Sequence, residues 1–282
     1  MPIQQQPLRI PYGVADFVKL RRGGEYYVDK THYLPLLEQA GRFLFLIRPR
    51  RFGKSLLQSV MECYYDCYWE PYFDELFHDT WIQAHPTPEK HHYLALRFDF
   101  SVVNPDPRKL EECFEGHLRI EMDLFFRRYQ TLIGEDIAQR VMGEPVGSRR
   151  LERLFSELYV LELPLYLFID EYDNFANNLL VREGRQKYQE LTHGGGFFRH
   201  FFSILKEGVG RTGGGLARLF ITGVSPITMD DVTSGFNIGT NISLDPQFTG
   251  LLGFNADEME HLFTAFGQDY ATHRPVLDEW YN

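Results

Sequence analysis

Four apolar runs recur along the chain: Phe43–Ile47, Tyr93–Phe100, Pro164–Glu171 and Leu219–Ser225. Each is short, each stops at polar residues or proline, and together they read as strands. The third, Leu165-Tyr166-Leu167-Phe168-Ile169, is apolar without alternation and suits a strand buried on both faces of a parallel sheet. Helical spacing fills the intervals. One helix follows Ser55 to about Trp69, with a second helical piece from Tyr72 to Gln83. Residues 108–129 place Leu110, Phe114, Leu118, Met122 and Phe125 on one face. Further helices cover Arg150–Leu161 and the Phe197–Leu205 stretch opened by Gly194-Gly195-Gly196, whereas residues 172–192 are polar and mixed. Strands alternating with helices predict an α/β fold, three-layer α/β/α, around a mostly parallel sheet.

Outside the runs the pattern is weaker. Val14–Leu20 reads as a short helix, Arg22-Gly23-Gly24 as a turn and Tyr26–Val28 as a short strand. Asp29 can cap a helix from Thr31 to Gln39 that ends at Gly41. From Leu244 onward the chain is loop and short helix, with Ala256–Phe266 capped by Asn255 and by Glu258 three residues later.

The candidate chemistry sits where the first strand ends. Arg48-Pro49-Arg50-Arg51-Phe52-Gly53-Lys54-Ser55 joins a strand to a helix, the build of a phosphate-binding loop. Backbone N–H groups of such a loop and of the helix N-terminus face a phosphate. Lys54 adds a point charge, and Ser55 Oγ is a candidate Mg²⁺ ligand. The motif asks for glycine at position 48, which is Arg48 here.

A second element strengthens the first. The third strand ends in Asp170-Glu171, as a Walker B strand does. Asp170 is the candidate partner of Ser55 in holding Mg²⁺, and Glu171 the candidate base that orients and deprotonates water. Thr222 and Ser225, at the end of the fourth strand, are either sensors of the γ-phosphate or hydroxyls satisfied by local backbone. Asp173 either supports the site or caps the following segment. Cys63 and Cys67, four residues apart, read as packing thiols rather than a metal pair. His91-His92 reads as an exposed loop pair.

Composition narrows the classes. The 282 residues are 44% hydrophobic, enough for a sizeable core, and carry a net charge of −10, which argues against a broadly basic nucleic-acid surface. Three cysteines make no disulfide framework. No run approaches the roughly 18 apolar residues of a membrane helix. The opening residues lack signal-peptide regions. A cytoplasmic location without membrane contact is the expectation.

Ile10-Pro11-Tyr12-Gly13, Tyr27-Val28-Asp29-Lys30-Thr31, the loop from Arg48 to Ser55, and Ile169-Asp170-Glu171-Tyr172-Asp173 together resemble the predicted AAA-ATPase-like family of prokaryotes. The resemblance runs to Leu252-Gly253-Phe254 and Trp280-Tyr281-Asn282 and makes Arg48 a family trait. It implies an ASCE-type P-loop NTPase related to AAA and STAND ATPases, using ATP and Mg²⁺. It implies nucleotide contacts from Pro49, Arg50, Arg51, Phe52, Gly53, Lys54, Ser55 and Leu56, with Tyr27 and Val28 flanking the base. Lys54 and Glu171 are then the catalytic pair. The organisation expected is a flanking segment 1–42, an ATPase core 43–243 and a C-terminal helical segment 244–282. Many members continue into a PD-(D/E)XK nuclease-like domain, so the helical segment is expected to be the truncated start of a further region. Nucleic acid is expected as a partner only through that region, and a homo-oligomer is left open. Two readings of function stand: slow Mg-dependent ATP hydrolysis used as a conformational switch, or a non-hydrolysing nucleotide-binding scaffold that regulates a partner or an appended nuclease-like domain.

Overall fold

The computed structural model describes residues 8–104, 106, 108–192, 196–210, 215–225 and 239–281. Five parallel strands form one sheet: β1 Phe43–Ile47, β2 Leu94–Asp99, β3 Leu165–Asp170, β4 Leu216–Gly223 and β5 Thr240–Asn241. Their order is β2-β3-β4-β1-β5, so β4 separates the loop strand from the strand ending in Asp170. Every residue of β3 is buried, as its unbroken apolar run predicts.

Side-chain alternation divides two cores. Leu44 and Leu46 of β1, Tyr166 and Phe168 of β3, and Phe220 of β4 face one layer. That layer holds α1 Phe17–Arg22, α2 Leu34–Ala40, α3 Lys54–Tyr65, α4 Phe73–Phe77 and α5 Trp81–Ala84. Phe45, Leu96, Leu167, Ile169 and Ile221 face the other. There lie α6 Leu110–Arg128, α7 Gln130–Ile133, α8 Glu135–Met142, α9 Gly147–Val160, α10 Asn174–Glu183, α11 Arg185–Thr192 and α12 Phe197–Gly210. The three-layer α/β/α expectation holds. In α6 the five residues expected on the apolar face are all buried.

Several elements differ from expectation. Residues 172–192 form α10 and α11, whose few apolar residues (Phe175, Ala176, Leu179 and Tyr188) nevertheless reach the core. The helix after Ser55 stops at Tyr65, because the Asp66 carboxylate caps the following 3₁₀ turn by accepting from Tyr68 N. Among the described residues Tyr26–Val28 joins no ladder, and an isolated Arg9–Glu25 bridge lies beside it. The Tyr27 ring instead packs on Phe17, with centroids 5.1 Å apart. The Gly194-Gly195 and Pro226 punctuation lies outside the described residues.

The chain beyond β5 returns to the sheet and then to the N-terminal segment. Helix α13, Ala256–Ala265, carries the anticipated capping box between Asn255 and Glu258. The second carboxylate oxygen of Glu258 takes Lys30 Nζ at 2.5 Å, and the same ammonium donates to Gly250 O at 2.8 Å. Phe266 packs edge-on against Tyr26. Helix α14, Tyr270–Tyr281, follows.

Candidate nucleotide site

The loop between β1 and α3 has the backbone of an anion cradle. From Arg50 to Lys54 only Arg51 (φ 68°) and Gly53 (φ 93°) are left-handed, so φ alternates in sign along the segment. Alternating hand turns successive N–H groups toward one concavity. It also answers the missing glycine. The left-handed positions are 51 and 53, and Arg48 needs none of the freedom that glycine offers. Arg48 N donates to Gly223 O, while its guanidinium donates to the carbonyls of Ile47 and Ser243. The Arg48 side chain is thus tied to the end of β1 and to the chain just beyond β5. Arg50 and Arg51 are exposed, and Arg50 reaches Asn174 Oδ1 at 3.4 Å. Phe52 is exposed on the same rim. Leu252 Cδ2 lies 3.9 Å from the position of a Cβ on Gly53, so the C-terminal turn leans on the loop.

Lys54 is buried in the first turn of α3. Its ammonium donates to Arg48 O and Pro49 O, both at 3.2 Å, and sits 3.4 Å from Glu171 Oε1. Ser55 and Leu56 follow, both half-buried. Glu171 itself has φ 51°, an uncommon conformation for a residue with a side chain and one often found where function dictates geometry. Burial raises its carboxyl above the ordinary range; Lys54 opposes the rise and Asp170 adds to it.

Asp170 is buried and fully engaged. Oδ1 accepts from Thr222 Oγ1 at 2.5 Å and from Glu171 N at 3.0 Å, and Oδ2 accepts from Arg97 Nη2 at 3.0 Å. Strand pairing brings this about. β2 sets Asp99 beside Asp170, and alternation turns Arg97, two residues earlier, onto the face that Asp170 also uses. Gln58, one helical turn beyond Lys54, donates to Thr222 Oγ1 and to Ile169 O, both at 3.0 Å. Its Oε1 is buried without a hydrogen-bond partner among the described residues.

Ser225 is held through its main chain: its N donates to Asp173 Oδ2 at 2.6 Å and its O accepts from Tyr172 OH at 2.8 Å. Asp173 is buried; it also accepts from Val224 N and from Asn177 Nδ2, which fastens the end of β4 to the start of α10. An Ala at Gly223 would set its Cβ against the Tyr172 ring and 2.7 Å from Asp173 Oδ1. Gly223→Ala should therefore cost about 1–3 kcal/mol, read as a lower urea midpoint at unchanged slope.

The structure brings Lys54, Ser55, Asp170, Glu171 and Thr222 to the carboxyl ends of β1, β3 and β4, where open parallel sheets bind ligands. Tyr27 and Val28 are half-buried beside α1; the Tyr27 ring lies against Phe17 and under the Arg21 guanidinium, 5.9 Å away. Burial pushes the Tyr27 phenol well above its ordinary range. Arg97 and Gln58 had weak sequence signals: period two on β2 for the first, and the four-residue step from Lys54 for the second. Cys63 and Cys67 are packing positions, and no cluster of three or more His, Cys, Asp or Glu among the described residues could hold a metal.

The profile of the predicted AAA-ATPase family matches residues 11–233. The chain belongs to that family. Among curated proteins it is 28% identical, over 285 residues, to an uncharacterized protein in the vnfD 5′ region of Azotobacter chroococcum mcd 1. The match covers 97% of this chain and 48% of the relative, so the chain spans about half that protein's length. No solved structure gives a significant match. No helix among the described residues is long and apolar enough to cross a membrane.

Proposed function

We propose that the chain binds Mg-ATP and hydrolyses it slowly, as a conformational switch. The observation that carries this reading is the junction itself. Buried Lys54 meets Glu171 at the mouth of an alternating-hand loop, with Asp170 next in the chain. The loop's amides and Lys54 hold phosphate oxygens, the anion replacing the two carbonyls and Glu171 that Lys54 meets among the described residues.

The donor set suits a hard cation, since Ser55 and Asp170 both supply oxygen. A bound Mg²⁺ supplies neutralisation of phosphate charge. Glu171 orients a water and accepts its proton as the oxygen bonds to the γ-phosphorus; the bond to the β–γ bridging oxygen breaks, and ADP leaves. Thr222 and Gln58 hold Asp170 in one orientation.

The scaffold reading has its own support, because the pairs Lys54–Glu171 and Arg97–Asp170 each occupy a group the reaction needs. Calorimetric titration with ATP and Mg²⁺, then a phosphate-release assay, separates the two. Saturable binding with slow release is expected. Binding without release would move the assignment to the scaffold, and absence of binding would sink both.

A further inference from the structure

We infer that Arg97 is a positioning residue that holds the place of the divalent cation, an exchangeable counter-charge on Asp170 that must withdraw before a cation can be bound. The inference rests on the nucleotide-site reading above and adds to it a residue and a source of control.

Asp170 is a carboxylate with almost no solvent exposure, and a buried charge needs a partner. Its two oxygens are not equivalent. Oδ1 is fixed by a buried hydroxyl and a backbone amide, both neutral and both anchored within β3, β4 and the residue that follows. Among the described residues Oδ2 has Arg97 alone, 3.0 Å away, and that guanidinium is the partly exposed member of the pair at 26%. The Oδ1 side keeps the carboxylate aimed, while the guanidinium at Oδ2 neutralises it. A cation at Oδ2 would bring a second positive charge to the same oxygen, so the two compete for it.

Arg97 also has somewhere to go. Glu121 of α6 lies within electrostatic reach of Arg97, with Asp99, Glu62 and Arg128 around it and His117 Nδ1 3.9 Å from its Oε1. On leaving Asp170, Arg97 would stay in the field of that carboxylate. The exchange would make the empty site stable without metal and would set a threshold cation concentration for assembling the full site. This differs from a direct phosphate contact, which would strengthen nucleotide binding with or without metal.

Binding of a fluorescent ATP analogue to the full chain tests this, with Mg²⁺ titrated in from EDTA for wild type, Arg97→Met and Arg97→Lys. Arg97→Met should lower the Mg²⁺ concentration at half-maximal enhancement by about tenfold, the effect of removing a roughly 10:1 preference for the paired state. Affinity in EDTA should stay near wild type. Arg97→Lys, which keeps the charge without the planar fork, should shift the midpoint the same way by less; it carries the test if Arg97→Met does not fold. An unchanged or raised midpoint in the folded variants overturns the inference. Equal loss of affinity in EDTA and in Mg²⁺ also overturns it, by making Arg97 a phosphate contact. If wild type binds the analogue under neither condition, the nucleotide reading itself fails and the placeholder fails with it.

Discussion

Glu171→Gln should lower ATP turnover by roughly 10²–10⁴-fold while leaving nucleotide affinity within a few-fold of wild type. The glutamine would keep the shape and a hydrogen-bond acceptor for Lys54, 3.4 Å away, but could not take a proton from water. The environment of Glu171 suits a base. Burial raises its carboxyl, which strengthens it as a proton acceptor, and the Lys54 ammonium opposes the rise. The left-handed backbone at Glu171 turns the side chain back toward the loop and away from the line of β3. Affinity should not fall, because removing the carboxylate releases Lys54 from its ion pair. Phosphate release and calorimetry on the same preparation check both halves. Wild-type turnover in the variant would remove Glu171 from the chemistry.

Asp173→Ala should cost about 3–5 kcal/mol of stability, the sum of two backbone donors and one amide left without an acceptor at roughly 1–3 kcal/mol each, less some relaxation. The donors are Val224 N, Ser225 N and Asn177 Nδ2, and the carboxylate that takes them is fully buried. Asp173→Asn keeps one acceptor oxygen and should fall between the two. Urea melts of the three proteins give the order. If Asp173→Ala melts like wild type yet loses turnover, Asp173 belongs to the chemistry and not to the frame.

Much of this was legible in the chain because the informative signals are local. Phe43–Ile47 and Leu165–Ile169 are continuous apolar runs, and the loop and the Asp-Glu pair sit immediately after them. What was missed is either short or non-local. β5 has two residues and is defined only by its pairing with Leu44 and Phe45. α10 and α11 are mostly polar, and a few side chains buried against α12 and α6 outweigh their composition. Tyr26–Val28 has strand-forming residues without a ladder to join, since the ring of Tyr27 is more deeply placed against α1. The Arg97–Asp170 pair spans 73 residues and exists only because β2 and β3 lie side by side in register. In the sequence, Arg97 and Asp99 only interrupt an otherwise apolar strand.

One short tie bears on how the molecule could be divided. Lys30 and Glu258 are 228 residues apart and joined by a single ammonium, which also holds Gly250 O. A fragment ending at Ser243 would strand that amine without its acceptors, and one starting at Phe43 would strand the carboxylate that caps α13. The first and last parts of the chain are halves of one buckle fastened around the sheet. Through this tie a displacement of α13 acts on Lys30, just ahead of α2, in the layer that also holds α3.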